Sequence, residues 1–414
     1  MTATLSPATT DLQIIEVLRN LANQAGLSLA GGKIRRSSSR FCLGVEHGDY
    51  NGTELFGVGT DRFIWLAFKP NGTRRLRLFS GNFPEDGLLD ISLDEIPEPG
   101  RLPDSWARFP AGVAWILKRE GYQLTQGIDA VLHGNIPGGG MSRSASLSLN
   151  LIISLAEVNG LRIEPDMRIV NLAQAVENDY IGSPCGNLDP LMIMFAREGK
   201  GTHYNPADRS VRHVSLGADA PDFRIVSLDT GTMRPGLEKS TYKVRVSECR
   251  ELITLAGEEF SIKTLGDIRT AELYQAIRAK YGTTYPHLCR RLTYIHHAQK
   301  RFAQMLEAWQ KGDVTTVGAI FRADGISLRD DYEISGKELE TMCDIVRTIP
   351  GVLGERMLGG GDKGASGALV LPESETALRE AVATAYPRSH PEYANEYAVH
   401  SCKMVDGITL QPGW

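Results

Sequence analysis

The sequence predicts a mixed α+β fold in two lobes, on three observations. Strand-like and helical stretches occur in both halves of the chain. Its 414 residues, 42% hydrophobic and 23% charged, have ordinary globular composition and are too many for one simple core. No internal repeat, low-complexity segment or obvious linker interrupts them, so two fused lobes are expected, residues 1–210 and 211–414.

The elements follow in order. Asp11 reads as an N-cap, with Leu12, Ile14, Ile15, Leu18 and Leu21 at helical spacing behind it. "RFCLGVEHGDYNG" runs from an apolar segment into a turn marked by Asn51-Gly52. "ELFGVGTDRFIWLAFK", "TRRLRLFSG" and "LLDISLDEI" read as strands, and "SWARFPAGVAWILKREG" as a helix closed by Gly121. "GIDAVLHGNI" is a strand leading into "PGGGMSRSAS". "SASLSLNLIISLAEVNG" is a helix ending at Asn159-Gly160, and "EPDMRIVNLAQAVENDYIG" is a second amphipathic helix. "HYNP", "VRHVSL" and "FRIVSLDTG" are strand-like. From about Thr241 the pattern turns helical, through "YKVRVSECRELITLA", "TAELYQAI", "RRLTYIHHAQKRFAQMLEAWQKG" and "KELETMCDIVRTI". A glycine-rich turn then leads to the strand-like "ALVLP".

Several function classes are disfavoured. A net charge of −5, from 45 basic and 50 acidic residues with no basic block, gives no reason to expect nucleic acid as a partner. The six cysteines are scattered without CxxC spacing, which argues against a zinc site and for free thiols in a reducing compartment. The N-terminus lacks a basic region followed by an apolar core, and no uncharged apolar run approaches the ~18 residues of a membrane helix. A cytoplasmic protein without a membrane partner is expected, as a monomer or weak homo-oligomer.

Four clusters carry possible chemistry. Gly138, Gly139 and Gly140, followed by Ser142 and Ser144 at the start of a helix, suit an anion. Glycines let backbone N–H groups approach it, and the helix dipole points the same way. A glycine turn with a serine N-cap fits the same letters; neither a Walker A loop nor a Rossmann fingerprint is present. Glu46, His47 and Asp49 lie within four residues at a turn and suit a polyol, or a solvated turn. Glu177 and Asp189 flank a Gly-Ser-Pro-Cys-Gly turn, and two carboxylates near a phosphate loop suit magnesium binding and proton abstraction. "GGGDKGASG", residues 359–367, is a second glycine turn able to line the same cleft.

Together and in this order, the clusters resemble the GHMP kinase superfamily, most closely its galactokinase branch. That family's Arg, apolar stretch and Gly-Glu-His-Thr-Asp-Tyr-Asn-Gly stand here as "RFCLGVEHGDYNG". Its Gly-Leu-Ser-Ser-Ser-Ala loop stands as "PGGGMSRSAS", and its Pro-Cys-Gly-Ile-Met-Asp-Gln as "PCGNLDPL". "SWARFPAGV", "STYKVRVSECREL" and "GVLGERMLGGGDKGASGALV" resemble further family segments, so the match runs from about residue 36 to 405.

The resemblance implies a two-lobed fold with the active site in the cleft between lobes. It also implies ATP and Mg2+, and transfer of a phosphoryl group to the anomeric hydroxyl of a monosaccharide, galactose or a close relative. It places Asp189 and Arg40 at the catalytic positions. Glu46, His47, Asp49, Gly186 and Tyr242 fall at sugar-contacting positions. Gly138, Gly139, Gly140, Ser142, Arg143 and Ser144 fall in the ATP phosphate loop, Trp106 near the adenine, and Ser144 and Glu177 on magnesium.

The chain departs from the pattern at four places. The phosphate loop is one residue shorter, Arg143 replaces a serine, Pro190 replaces a glutamine, and Asp362-Lys363 replace Phe-Gly. Two alternatives follow: a non-catalytic sugar and ATP sensor on the same fold, or a kinase for a uronic acid, pentose or N-acetylhexosamine. Glu46 argues against a uronate, since a carboxylate facing the sugar's C6 end would repel it unless a cation such as Lys363 intervened. Arg143 is read as a phosphate contact or as a solvent-facing replacement for a dispensable hydroxyl.

Overall fold

Two sheets organise the chain in a computed structural model that describes residues 11–233, 239–411 and 414. The first ten residues, part of the stretch read for a targeting signal, lie outside the described residues. The first half contains α1 (Asp11–Gln24), β1 (Lys33–Gly44), β2 (Leu55–Pro70), β3 (Arg75–Ser80), β4 (Leu89–Ser92), α2 (Arg108–Arg119) and β5 (Ile128–Gly134). It continues with α3 (Arg143–Val158), α4 (Asp166–Ala175), α5 (Leu188–Met194), β6 (Lys200–Asn205) and β7 (Ser210–Ser215). The second half contains β8 (Arg224–Asp229), α6 (Thr241–Phe260), α7 (Ala271–Tyr281), α8 (Pro286–Lys311), α9 (Val314–Asp330) and α10 (Lys337–Arg347). It closes with β9 (Val352–Met357), β10 (Ala365–Val370), α11 (Glu375–Ser389), β11 (Ala398–Cys402) and β12 (Ile408–Gln411).

The first sheet runs β12-β1-β2-β5-β3-β4, with β6 beside β2 and β7 beside β6. Only β3 and β5 pair in parallel. The second sheet is β11-β8-β10-β9, antiparallel throughout. The change of sheet thus falls between Ser215 and Arg224, and β12 returns to the first sheet from the chain's end.

β2 shows how the pattern builds the first sheet. Successive strand side chains point to opposite faces. Ile64, Leu66 and Phe68 enter the large core under α2, α3 and α4, while Phe63, Trp65 and Ala67 pack with α1 on the other face. That second face explains α1: its Ile14 and Leu18 are fully buried there, each worth about 1.5–3 kcal/mol. The second sheet is covered by α10 and α11 through Met342, Val346, Leu378 and Val382.

Several elements escape periodicity. α9, α11 and the short α5 are absent from the reading above, as are β9, β11 and β12. α9 carries Gly318 and Gly325, poor helix formers that serve close packing: a Cβ on Gly318 would lie 2.5 Å from that of Leu353. The second amphipathic helix is regular only to Ala175 and passes into a π-turn over Val176–Ile181.

Candidate active site

β1 delivers the first charged group of the site. It is covered by α3 on one side, where Ser146 Oγ donates to Ser37 O and Asn150 Nδ2 to Arg35 O, so side chains of the helix satisfy carbonyls of the buried strand. Arg40, 1% exposed, reaches from this strand to α5. Its Nε and Nη2 donate to Asp189 Oδ1 at 2.8 and 2.6 Å, and its Nη1 donates to the carbonyl of Gly140 at 2.7 Å. Burial alone would lower the Arg40 pKa, but the carboxylates of Asp189 and Glu46 outweigh it and hold the guanidinium charged. Asp189 lies in the first turn of α5 and keeps about a third of its side chain open to the cleft.

The turn after β1 supplies a second group of acids. Glu46 is buried between two arginines: Arg356 Nη1 donates to its Oε2 at 3.0 Å, and Arg40 Nη2 lies 3.8 Å from its Oε1. The cations beside Glu46 are thus arginines, so its charge does not stand alone against a charged sugar. Asp49 accepts from the backbone N–H of Leu188 at 3.1 Å and of Tyr50 at 3.0 Å. Burial pushes its carboxyl up to about 6, against those hydrogen bonds and with help from Asp189. Gly186 is required beside it, because a Cβ there would lie 2.3 Å from Asp49 Cγ. His47 Nδ1 bonds Tyr50 Oη at 2.9 Å, and Tyr242 packs its ring 5.3 Å from the imidazole. Tyr50 in turn bonds Tyr332 at 2.8 Å, so this wall is a connected network.

The phosphate-loop candidates lie on the far side of Arg40. Ser142 precedes α3 in a left-handed conformation, φ 63°, and its side chain makes no capping bond. Ser142 thus stands at the N-cap position without using its hydroxyl as a cap. Its Oγ is buried and has no partner among the described residues, at a point where glycine N–H groups and the start of a 16-residue helix converge. The second glycine turn abuts the first backbone to backbone: a Cβ on Gly139 would lie 2.8 Å from Gly364 Cα. That approach joins the two halves of the molecule and leaves no room for side chains.

Arg143 does not point to solvent. It is half-buried, and its Nη2 donates to Ile136 O at 3.1 Å. Burial lowers its pKa, with the Asp229 carboxylate at the end of β8 acting in the opposite sense. Asp229 is itself pushed up to about 6 by burial.

One cleft of about 390 Å³, within the range of small-molecule sites, is lined by every site residue expected from the sequence. Arg40, Glu46, His47, Asp49, Gly186, Asp189 and Tyr242 form one end. Gly138, Gly139, Gly140, Ser142, Arg143, Ser144 and Glu177 line it beside them. Trp106 lines it with Phe83 and Phe109; it is 6% exposed, and its Nε1 has no partner among the described residues. Gly359 and Gly360 line the cleft as well, so the second glycine turn is part of it. Lys363 and Asp362 do not line it: Asp362 Oδ2 instead accepts from Thr241 N at the start of α6. Lys363 is thus outside the cleft in which a cation beside Glu46 was considered above. Arg356, Phe83 and Phe109 were missed. The adjacent charges Glu355 and Arg356 inside β9 were the available signal for Arg356.

Among the described residues no helix is long and apolar enough to cross a membrane. Residues 108–197 match the family model "GHMP kinases N terminal domain". The chain is 31% identical to a galactokinase of Enterococcus faecalis over 82% of its own length and 86% of that protein. The crystal structure of Lactococcus lactis galactokinase complexed with galactose superimposes with a TM-score of 0.87 at 28% identity, covering 96% of this chain and 99% of that one. Methanococcus jannaschii mevalonate kinase shares the fold, with a TM-score of 0.63 at 15% identity over 91% of this chain and 99% of that one. With acidic side chains and glycine turns lining one cleft and these relatives, the chain belongs to the galactokinase family of GHMP kinases and is a sugar kinase that uses ATP.

Proposed function

We propose that the chain phosphorylates galactose at its anomeric hydroxyl, with Asp189 and Arg40 as the catalytic pair. The observation that carries this is the position of Arg40, whose guanidinium holds Asp189 on one side and the Gly140 carbonyl of the phosphate loop on the other. It therefore stands where an acceptor hydroxyl and a γ-phosphoryl group would meet. Asp189 Oδ1 is engaged by Arg40, and its open side is available to orient the hydroxyl and take its proton. Arg40 lowers the pKa of that hydroxyl and offsets charge gathering on the transferring phosphoryl oxygens.

Glu46, His47, Asp49, Gly186 and Tyr242 bind the sugar in this reading. Asp49 and Glu46 accept from its hydroxyls, and His47 and Tyr242 offer a ring wall. Gly138, Gly139, Gly140 and Ser142 donate to the triphosphate, and the buried Ser142 Oγ fits that use. Trp106, Phe83 and Phe109 take the adenine. Ser144 and Glu177 suit Mg2+ as oxygen donors lining the same cleft. Bound there, the ion would neutralise charge on the nucleotide's β- and γ-phosphates.

Two lobes, residues 1–210 and 211–414, suit this use; two sheets joined through abutting glycine turns support a two-part molecule, with the change of sheet a few residues past that boundary. A cytoplasmic setting, as a monomer or weak homo-oligomer, fits six cysteines that are all free. The sensor reading is disfavoured, since Arg40 and Asp189 are held in a paired geometry that sugar binding alone does not need.

The test is ADP release from ATP and Mg2+ with a panel of hexoses, pentoses, uronates and N-acetylhexosamines. Galactose should turn over best, and phosphorus NMR should place the phosphate on C1. Sugar binding by calorimetry without turnover of any sugar would refute the kinase.

A further inference from the structure

Away from the cleft, three side chains of the second half converge. Glu338 lies in the first turn of α10, His390 follows the end of α11, and Glu392 lies in the short turn Pro391–Tyr393. One ligating atom from each lies within 4.8 Å of the other two, and none of the three lines the cleft. His390 is 2% exposed, while Glu392 opens to solvent.

Hydrogen bonding outside the cluster fixes the imidazole. Thr341 Oγ1 donates to the carbonyl of Lys337 at 2.9 Å, a group that can only accept. Its single proton is used there, so at 3.0 Å from His390 Nε2 the same hydroxyl accepts the Nε2–H. The neutral ring therefore carries its lone pair on Nδ1. That atom makes no hydrogen bond among the described residues and faces Glu392 Oε1 at 3.7 Å, within ion-pairing distance, and a carboxylate oxygen of Glu338 completes the group of ligating atoms that lie within 4.8 Å of one another. Three electron-rich atoms directed together against a buried ring repel one another unless a cation joins them.

We infer that His390 Nδ1, Glu338 and Glu392 form a site for a divalent transition-metal ion, zinc first. One imidazole and two carboxylates match zinc's donor set. Tetrahedral zinc with Zn–N and Zn–O distances of about 2.0–2.2 Å sets neighbouring ligands roughly 3–3.5 Å apart, close to the Nδ1–Oε1 separation. A metal-binding histidine commonly donates its other N–H to a fixed acceptor, the role Thr341 fills. Magnesium prefers an all-oxygen shell and discriminates against imidazole, so this site and the one assigned to Ser144 and Glu177 select different ions. The exposed side of Glu392 leaves the fourth position to water.

The ion would tie the start of α10 to the turn after α11. Gly336, which precedes α10, packs against the backbone of Asp362 in the second glycine turn. A bound ion therefore braces the scaffold behind that turn and takes no part in the chemistry.

The experiment uses the full chain stripped of metal by chelation and titrated with zinc by calorimetry at neutral pH, with thermal melting alongside. The expected result is one zinc per chain, bound equally with a saturating ATP analogue present, and a raised melting temperature that equimolar magnesium does not produce. Glu338→Gln and Glu392→Gln change partly or fully exposed carboxylates and should fold as the parent does. Each should weaken zinc at least about tenfold, the loss seen even when a group orienting a metal ligand is removed. Thr341→Val should weaken it as well, through the ring. No zinc binding, or binding unchanged in both glutamine variants, overturns the proposal. So does a nitrogen NMR signal showing His390 doubly protonated at neutral pH with and without zinc, which would make the cluster an ion pair.

Discussion

The sugar end of the cleft and its phosphate end are built in opposite ways. At the sugar end the charges already have protein partners: Arg40 holds Asp189, Arg356 holds Glu46, and two backbone N–H groups hold Asp49. At the phosphate end Ser142 Oγ is buried without a partner among the described residues, and Arg143 holds only a carbonyl and, more remotely, the charge of Asp229. The first end is organised before substrate arrives, which is where electrostatic catalysis gains most. The second offers donors that an anion would complete. Changes at the sugar end should therefore cost chemistry or folding, and changes at the phosphate end should cost nucleotide affinity.

The largest effect tests the sugar end directly. Asp189→Asn keeps the shape and an acceptor for Arg40 but removes the base. Initial-rate kinetics should show kcat lower by about 10²–10⁴, with galactose binding by calorimetry little changed. A kcat within a few-fold of the parent would remove Asp189 from the mechanism.

Arg356→Met should come next. It leaves Glu46 buried with only the more distant Arg40, and breaking a buried pair from one side costs about 3–5 kcal/mol. The lower end is expected, because Arg40 remains. Denaturant unfolding should report the loss, and Glu46→Gln in the same background should recover part of it, since the orphaned charge is then gone. No recovery would mean that Arg356 acts by packing against Phe321, whose ring centre lies 4.4 Å from its guanidinium, rather than by charge.

A third, smaller effect follows from Asp49 and separates the ends by pH. Its folded pKa, about 6, lies above the usual carboxylate value, because burial disfavours the charged form. The folded chain therefore holds a proton that the unfolded chain has released between roughly pH 4 and 6. By linkage this group lowers stability as pH rises through that window. Sugar binding runs the other way, since the ionised carboxylate is the better acceptor. The KM for sugar should fall as pH rises through about 6, and Asp49→Asn should flatten that profile. Asp229 is also pushed to about 6, but it lies behind Arg143, so its titration should appear in the KM for ATP instead. A pH profile shared equally by both substrates would erase the distinction between the ends.

The sequence made one kind of contact legible and hid another. β2 could be read because its alternation is local, and the glycine loop, the acid cluster and the Glu177–Asp189 turn were visible as short motifs. Their company in one order carried the family resemblance. Arg356 was not readable as the partner of Glu46, because 310 residues separate them and neither stretch shows the other's charge. The loop that holds Phe83 has no period to follow. α9 and α5 were missed for a related reason: glycines and a proline weaken the helical pattern, and packing overrides it. The role of Asp362 and Lys363 was not legible, because a letter does not tell which way a turn faces. In the fold, Asp362 serves the start of α6.

Arg143→Ser is the mildest change and the sharpest probe of the phosphate end. It restores the hydroxyl common in related loops and removes a cation that is bonded to Ile136 O and borders both the cleft and the small apolar recess beside Trp106. The side chain makes no ion pair with Asp189 or Glu46, so kcat and the KM for sugar should stay near the parent values. If the guanidinium serves the nucleotide, the KM for ATP should rise several-fold to about tenfold, the worth of one charge-assisted hydrogen bond partly screened by solvent. Arg143→Lys should recover part of the loss, because the charge returns without the planar fork. An unchanged KM for ATP would assign Arg143 to packing between the loop and β8. A change in kcat with an unchanged KM for ATP would show that the two ends are coupled through Gly140, the residue whose carbonyl Arg40 holds.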